Sequence, residues 1–546
     1  MDHRNYAYYE ENAANISLKD ITSSKQNKKI LRRLRENEND GKLSRLSLSL
    51  SSNVWGAFLI RKGNDFGWLG YFIGESKYLR KLSILNLPNE DEEWEEQQID
   101  AFMDGLARNQ SIQTLDVKNL GDYGSTAILR ALGNFTQLDE LVYGCNNPGL
   151  NGCSTIGALL ESRACKLKKF WLGHNNIGDD GVAALASGLR SIGPSLTYLG
   201  LSGNSIGNDG LSALVAALES CTSLEELDLS LNDFSSATAG LGTLSDWLQR
   251  DQMGLEHLTL QRCDINDEGM QALAEGAVNH CKGLNLSKND SITALGLRYL
   301  STSLQSDSCR LESLLIGSIN LRDDGAEVLA RGLIGNQSLK CLHLCQVTPF
   351  TPAGWNTALC DTSSVNNTYL SNHTFHEFYI SNYDEGFDID ESVVLYLRLN
   401  KMHPQYAARC KILMHHAHLD MTPLLQWELK FLPLAVGWFE RAKSCTTLSI
   451  QEKFPNPKRR VLDESEEAFQ SRVLTALYEF VRGVPKKVLE RRNELALEAA
   501  YEHEIAMVEE ENQRIRNEKK RLCEDVEERD RKIAKLEEEN KRLSGS

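Results

Sequence analysis

Three nine-residue stretches decide the fold: LKKFWLGHN from Leu167, LTYLGLSGN from Leu196 and LEELDLSLN from Leu224. Each follows the pattern L-x-x-L-x-L-x-x-N. Weaker copies begin at Leu43, Leu79, Ile112, Leu138, Leu255, Cys281, Leu311, Leu339 and Val365. From Ile112 onward, successive copies begin 26 to 31 residues apart. A period of this length predicts a solenoid in which one small unit is repeated.

Each part of the repeat has a physical role. The L-x-L core predicts a short strand whose leucines point into the interior. The asparagine turns the chain and satisfies backbone groups that water cannot reach. Its positions are Asn146, Asn175, Asn204, Asn232 and Asn289, with Cys263 as one replacement. Segments such as IGDDGVAALASGL (177–189) then predict a helix with aspartates at its start. Each unit buries its core only against its neighbours, so the array must be continuous.

A period of 28 or 29 residues with a full helix resembles the ribonuclease-inhibitor class of leucine-rich repeats. The resemblance covers about Leu43 to Leu370. It implies an α/β solenoid of horseshoe shape, with a concave parallel sheet and helices on the convex side. Cysteines just before repeat starts are similar to that class: Cys165, Cys221, Cys281 and Cys309. They are interpreted as small buried residues at helix ends, or alternatively as an oxidation-sensitive array.

The chain divides into four predicted parts. Residues 1–42 form a polar N-terminal arm, in which KKILRRLREN (28–37) is either a solvated or capping helix or a basic localisation element. Residues 43–374 form the repeat array, 375–485 a helical cap and linker, and 486–546 a coiled coil. In the third part, HTFHEF, LNK and WELKFLPL resemble a segment that follows leucine-rich repeats in proteins of single-celled algae. That resemblance implies no activity.

The C-terminal part has a heptad pattern with Ile505 at position a. Positions a and d supply the predicted dimerisation residues Ile505, Val508, Asn512, Ile515, Leu522, Val526, Ile533, Leu536, Asn540 and Leu543. Asparagine at position a favours a parallel two-stranded coiled coil in fixed register. We predict a parallel homodimer. A different partner chain and a lone solvated helix are the alternatives.

Composition and motifs argue against several functions. The 546 residues carry 60 Lys+Arg and 76 Asp+Glu, a net charge of -16, which opposes nucleic-acid binding and anionic membranes. Thirteen cysteines without paired CxxC spacing or an export signal predict a cytoplasmic or nuclear protein. The sequence has no Walker loop, GxSxG or HExxH motif. The histidines 403, 415, 416 and 418 lack further ligands at suitable spacing, so no metal or cofactor is predicted.

The predicted binding surface is the concave face of the sheet. Between the last two leucines of each motif lie the candidate partner-binding residues Trp171, Asp116, Asp228, Thr259, Asn285 and His343. The face is expected to be mostly small and neutral. Trp171, flanked by Gly144, Gly173 and Gly200, is either a binding hot spot or a side chain that packs on neighbouring strands.

These features predict a non-enzymatic protein-binding scaffold, doubled by its coiled coil. The alternative is a small-GTPase regulator, because Ran-type GTPase-activating proteins share this repeat class. That family has a strongly acidic tail, whereas residues 486–546 hold 15 Lys+Arg and 17 Asp+Glu. No functional residue can be carried over, and Arg262 is a candidate by position alone. An innate-sensor-like receptor is disfavoured because no P-loop oligomerisation domain is found.

Overall fold

The computed structural model describes residues 6–36, 43–49, 57–60, 66–85, 96–135, 137–162, 166–250, 254–344, 354–379, 390–401 and 403–416. Two compact units are distinguished. The first holds residues 1–361 and 370–404, and the second holds residues 362–369 and 405–546.

The strands form one parallel sheet in the first unit. They are β1 (Arg45–Ser49), β2 (Phe58–Leu59), β3 (Lys81–Leu85), β4 (Thr114–Lys118), β5 (Glu140–Gly144), β6 (Lys169–Trp171), β7 (Tyr198–Gly200), β8 (Glu226–Asp228), β9 (His257–Thr259), β10 (Gly283–Asn285), β11 (Ser313–Leu315), β12 (Cys341–His343) and β13 (Glu377–Tyr379). From β3 to β13 the strands are neighbours in chain order, while β1 lies between β3 and β2. Strand β2, which the repeat pattern did not predict, is therefore an edge strand.

The described helices are α1 (Tyr6–Asn12), α2 (Leu18–Ile21), α3 (Lys25–Glu36), α4 (Phe66–Glu75), α5 (Glu96–Leu106), α6 (Gly121–Leu132), α7 (Gly149–Leu160), α8 (Gly178–Ile192), α9 (Asn208–Leu218), α10 (Thr238–Leu248), α11 (Asp267–His280), α12 (Ala294–Leu304), α13 (Arg322–Gly332), α14 (Trp355–Leu359), α15 (Val365–Leu370), α16 (Glu391–Asn400) and α17 (Pro404–His415). Helices α4 to α14 connect successive strands of the first unit and form its second layer. Leucines of strands and helices fill the space between the layers and are almost fully buried. The α/β leucine-rich-repeat solenoid predicted from the motif is confirmed.

The asparagines of the motif form a hydrogen-bonded ladder through the core. The Asn146 N–H donates to Asn175 Oδ1 at 2.8 Å, the Asn175 N–H to Asn204 Oδ1 at 2.9 Å, and the Asn204 N–H to Asn232 Oδ1 at 3.0 Å. Their Nδ2 groups donate to strand carbonyls such as Leu172 O. These bonds satisfy buried backbone groups, as the motif predicts.

The N-terminal segment packs on the first repeats over its described residues. Tyr9 is 3% exposed and lies with its ring centroid 5.0 Å from that of Trp68, while Leu31 and Leu34 of α3 are buried. The apolar face of α3 lies inward and the basic residues face solvent. Residues 6–36 are thus packed helices and not a polar arm, and residues 28–36 agree with the alternative of a capping helix.

The last predicted copy of the repeat, at Val365, is wrong. Residues Val365–Leu370 form the helix α15, and the strand is β13 at Glu377–Tyr379. The turn into β13 repeats a second asparagine motif, in which Asn372 Oδ1 accepts from the backbone N–H of Phe375 at 2.8 Å. Asn109 and Asn336 accept from the equivalent backbone groups. The sheet therefore extends past residue 374, into a segment predicted to lack repeats.

The second unit is described in two helical pieces. In it, Thr368 Oγ1 and His416 Nε2 lie 2.8 Å apart, and the Arg409 guanidinium lies 5.0 Å from the Tyr406 ring centroid. The predicted coiled coil, with all ten dimerisation residues, lies outside the described residues. Within the described part of the chain, no helix is both long and apolar enough to cross a membrane.

Candidate functional site

Alternation along each strand leaves one set of side chains facing away from the helices, which we call the open face. One residue of this set on each strand from β4 to β13 is paired in register with its neighbours, and we call these residues the middle row. The middle row runs Asp116, Val142, Trp171, Gly200, Asp228, Thr259, Asn285, Leu315, His343 and Tyr379. All six predicted partner-binding residues therefore lie in one row, and each is partly exposed.

Trp171 lies flat over three glycines of the open face. A Cβ atom on Gly144 would lie 2.0 Å from Trp171 Cζ3, one on Gly173 would lie 2.4 Å from Cζ2, and one on Gly200 would lie 2.2 Å from Cδ1. No other residue could occupy these positions without moving the indole. One ring face therefore packs on neighbouring strands, as the second interpretation states, and the side chain stays partly exposed. The interpretation of Trp171 as a binding hot spot stays a prediction.

The benzene side of the indole borders a charged pair. Lys118 Nζ lies 5.2 Å from the Trp171 ring centroid, within the range of a cation–π interaction. The same ammonium lies 3.5 Å from Asp116 Oδ1. The negative charge of the Asp116 carboxylate is therefore partly neutralised by Lys118. It attracts a cationic group of a partner less strongly than an unpaired carboxylate would.

The pyrrole side of the indole borders hydroxyl and carboxylate groups. The Tyr198 hydroxyl and Trp171 Nε1 would each lie 3.0 Å from a Cβ on Gly200. Burial, together with the nearby carboxylates of Asp228 and Glu226, raises the pKa of Tyr198 to about 12. Asp228 Oδ1 accepts from the Ser230 N–H at 2.9 Å and from Ser230 Oγ at 2.6 Å. These bonds fix the orientation of the Asp228 carboxylate.

A ring stack forms the other end of the row. The His343 and Tyr379 rings lie 4.4 Å apart with an angle of 16° between their planes. Burial lowers the pKa of His343, and Glu377 partly opposes this shift. Tyr379 is 49% exposed. Sequence reasoning missed it because the segment after residue 374 was predicted to contain no repeat.

A second row of the open face was also missed. It lies two residues before the middle row and contains Lys81, Glu140, Lys169, Tyr198, Glu226, His257 and Glu377. The expectation of few ionisable groups is therefore wrong for this row. The motif contained the information needed to find this row. The residue just before the second leucine position of L-x-x-L lies two residues before the middle row, so strand alternation places both on the same face.

No metal site is found in the described ranges, where no three His, Cys, Asp or Glu side chains are placed to hold an ion. Four cysteines were predicted to be small buried residues, and two of the three that are described are buried. Cys221 and Cys281 are fully buried, and burial raises their thiol pKa values to about 11 and about 12. Cys309 is half-buried, and Cys165 lies outside the described residues.

Comparison with known proteins supports the repeat class. Residues 163–186, 194–215, 220–237 and 255–274 match the family model described as "Leucine Rich repeat". The chain is 31% identical over 130 residues to "NACHT, LRR and PYD domains-containing protein 14" of Mus musculus, which is 24% of this chain and 13% of that protein. It is 33% identical over 129 residues to the "Ribonuclease inhibitor" of Mus musculus, covering 23% of this chain and 28% of that protein.

The matched stretch spans less than a third of either relative. Among solved structures, the "Crystal structure of Rad7 and Elc1 complex in yeast" covers 53% of this chain and 68% of that chain, with a TM-score of 0.34 and 16% identity. The repeats are leucine-rich repeats of the ribonuclease-inhibitor-like type. Proteins of this class are generally protein-interaction scaffolds and typically not enzymes.

Proposed function

We propose that this chain is a non-enzymatic scaffold that binds a protein partner on the open face of its sheet, around Trp171. The observation that carries the proposal is the flat, partly exposed indole in the middle row. Tryptophan is enriched among residues that dominate binding energy, because it offers a large rigid contact area at low entropic cost. Three glycines beneath the ring let it lie flat on the sheet, where it stays partly exposed beside Lys118.

The arrangement suits a protein partner better than a small molecule. The middle row runs across ten adjacent strands of one sheet. It is therefore a long surface and not an enclosed cavity. At about 4.8 Å between strands, the distance from Trp171 on β6 to Tyr379 on β13 is roughly 34 Å along the sheet. A surface of that length matches a folded partner or an extended peptide.

The tail is the second part of the proposal. Residues 486–546 form a parallel homodimer, which brings two open faces into one particle. Doubling raises the apparent affinity for a target that presents two copies of the ligand. The heptad pattern supports this part.

The test is capture of partners from native extract by the full chain, with two matched variants. Trp171→Ala removes the indole, and Leu295→Ala removes an apolar side chain that is 47% exposed on α12 in the helical layer. We expect a partner that is lost with Trp171→Ala and kept with Leu295→Ala, while circular dichroism shows both variants folded. A partner kept by both variants would contradict binding at Trp171.

The identity of the partner decides the small-GTPase alternative. Arg262, its positional candidate, lies exposed in the loop after β9, and its N–H donates to Ser287 O at 2.9 Å. If the captured partner is a small GTPase, adding the full chain to it should accelerate GTP hydrolysis under this alternative. If a small GTPase is captured but its GTP hydrolysis is not accelerated, the chain is a scaffold and not a GTPase regulator.

A further inference from the structure

The pyrrole side of Trp171 is surrounded by polar groups whose hydrogen-bonding capacity is unused within the described residues. Trp171 Nε1 and the Tyr198 hydroxyl lie next to one another above Gly200, with no hydrogen bond to any described group. Asp228 Oδ1 accepts both bonds from Ser230, and its Oδ2 accepts none from the residues described. The exposed carboxylate of Glu226 has no ion pair in the same ranges.

The pyrrole ring of Trp171 lies close to the Asp228 carboxylate along the row. Trp171 and Asp228 lie on strands two apart, so their backbones are separated by about 10 Å. The residue between them in the row is Gly200, and the pyrrole ring lies above it. A flat group stacked over the pyrrole ring is therefore about one strand spacing from Asp228 and can reach its carboxylate.

The charges favour a cation at this place. Asp228 and Glu226 both lie on β8, and they are close enough to Tyr198 to raise the pKa of its hydroxyl. Lys118 lies over the indole ring and is paired with Asp116, so the ring face left for a second cation is the part beside Asp228, over the pyrrole ring. Lys169, the neighbour of Tyr198 in register, lies between Tyr198 and Glu140 and offsets only part of the negative charge.

We propose that this site binds the guanidinium group of an arginine presented by the protein partner. The guanidinium stacks on the outer face of the pyrrole ring of Trp171, away from Lys118, and donates to Asp228, Glu226 and the Tyr198 oxygen. Arginine fits better than lysine because its charge is planar, stacks on aromatic rings and directs five donors in a fixed fork. The inference rests on the proposed function, since it names the chemistry of the partner at the same surface.

The probe is the amide of N-acetylarginine, with the amide of N-acetyllysine as the matched ligand. The full chain is labelled with 5-fluorotryptophan, and Trp171→Phe identifies the Trp171 signal in the fluorine NMR spectrum. We expect the arginine derivative to shift this signal in the millimolar range and the lysine derivative to shift it much less. Asp228→Asn should weaken arginine binding about tenfold, the loss of one charge-assisted hydrogen bond.

Asp246→Asn is the control, because Asp246 is an exposed carboxylate on α10. It should leave the titration unchanged, and Asp228→Asn keeps an oxygen that can accept from Ser230. Equal shifts with both derivatives, or no effect of Asp228→Asn, would overturn the arginine site. A partner lost with Trp171→Ala but kept with Asp228→Asn, and not displaced by the arginine derivative, would leave the scaffold function standing without this inference.

Discussion

The side-chain amide of Asn27 exchanges two hydrogen bonds with the backbone of Leu59. Asn27 Nδ2 donates to Leu59 O at 2.8 Å, and the Leu59 N–H donates to Asn27 Oδ1 at 2.9 Å. Leu59 belongs to the edge strand β2, and Asn27 is fully buried on α3. Unpaired groups on an edge strand invite pairing with other chains, so Asn27 closes this edge with a side chain.

Asn27→Asp should lower the free energy of unfolding by about 2 to 4 kcal/mol, because it removes the donor to Leu59 O and buries a carboxylate. The measurement is denaturant unfolding at neutral pH. Asn15→Asp, at an exposed position near α2, is the control and should change stability by less than about 0.5 kcal/mol. Equal stability of the two variants would show that the hydrogen bonds of Asn27 do not stabilise the edge strand β2.

The asparagine ladder has a replacement at Cys263. The Cys263 N–H still donates to Asn289 Oδ1 at 2.9 Å, and its Sγ donates to Leu229 O at 3.2 Å. A thiol lacks the oxygen that accepts from the preceding repeat, where Asn232 stands. Cys263→Asn should therefore stabilise the fold by about 0.5 to 1.5 kcal/mol, the net value of one buried hydrogen bond.

The reverse substitution is the control for the ladder. Asn204→Cys removes an oxygen that accepts from Asn175 and an amide that donates to Leu172 O. Its cost should be about 1 to 3 kcal/mol, because buried backbone groups lose their partners. If Cys263→Asn instead destabilises the protein as much as Asn204→Cys does, the surroundings of Cys263 fit a thiol better than an amide. That result would contradict the predicted gain of a hydrogen bond.

Buried thiols should make the fold sensitive to alkaline pH. Burial raises the pKa of Cys281 to about 12, so the folded state keeps its proton while the unfolded state loses it near the ordinary value of 9.0. A raised folded pKa gives stability that is complete below pH 9 and lost as the pH rises towards 12. Each such thiol should cost about 1 kcal/mol at pH 10 relative to pH 7.

Cys281→Ala tests this by removing one titrating thiol. The variant is less stable at pH 7, but the difference from the natural sequence should shrink by about 1 kcal/mol at pH 10. Leu218→Ala is the control, because it removes a buried side chain that does not titrate, and its difference should be the same at both pH values. A constant difference for Cys281→Ala would mean that the unfolded chain also protects this thiol.

The sequence predicted the repeats well where leucines alternate with a regular period. The motif aligns each repeat with the next, so the pairing of strands across the sheet follows from it. The row from Asp116 to His343 could therefore be predicted from the sequence. Strand β13 was missed because Phe375 and Phe378 replace leucines there, and both are aromatic side chains of a terminal repeat. Strand β2 was missed because two residues carry no periodicity, and its place depends on contacts with α3.

The details of the site depended on side-chain geometry. The glycines beside Trp171 showed that a large ring could fit, but not which side of the ring meets Lys118 and which meets Tyr198. Tyr198 and Glu226 are in the row that precedes the middle row, which strand alternation places on the open face. The stack of His343 on Tyr379 required a strand assignment that the sequence pattern did not provide.

Gly200→Ala should disturb the site without unfolding the protein. The new Cβ would lie 2.2 Å from Trp171 Cδ1, so the indole must leave its place above the sheet. Binding of the partner captured by the natural chain should weaken about tenfold, or about 1.4 kcal/mol. Gly242→Ala on α10 is the control, since its Cβ would meet only Ala272 Cβ at 4.0 Å, and it should stabilise the helix by up to about 1 kcal/mol. Unchanged affinity of Gly200→Ala would separate binding from the position of the indole.

The last prediction concerns the tail. Positions a and d of residues 486–546 are mostly apolar through six heptads. An exposed apolar stripe of this length costs free energy, and pairing with a second copy removes it from water. Light scattering should give the full chain twice its 61.2 kDa monomer mass, and a variant ending before residue 486 the mass of a monomer. Leu522→Asp combined with Leu536→Asp places two charges in the seam and should give monomers.

The matched control is Asn517→Asp, which adds an aspartate at an outer position of the heptad that precedes Leu522. It should keep the dimer, because only the seam excludes water. Two repulsive contacts across the pair, Glu504 with Glu509 and Asp525 with Asp530, are matched by two attractive ones, Glu511 with Arg516 and Lys532 with Glu537. Because salt screens both kinds, the stability of the dimer should change little with salt concentration. A monomer mass for the full chain at all salt concentrations would leave the scaffold with a single open face and remove the gain from doubling.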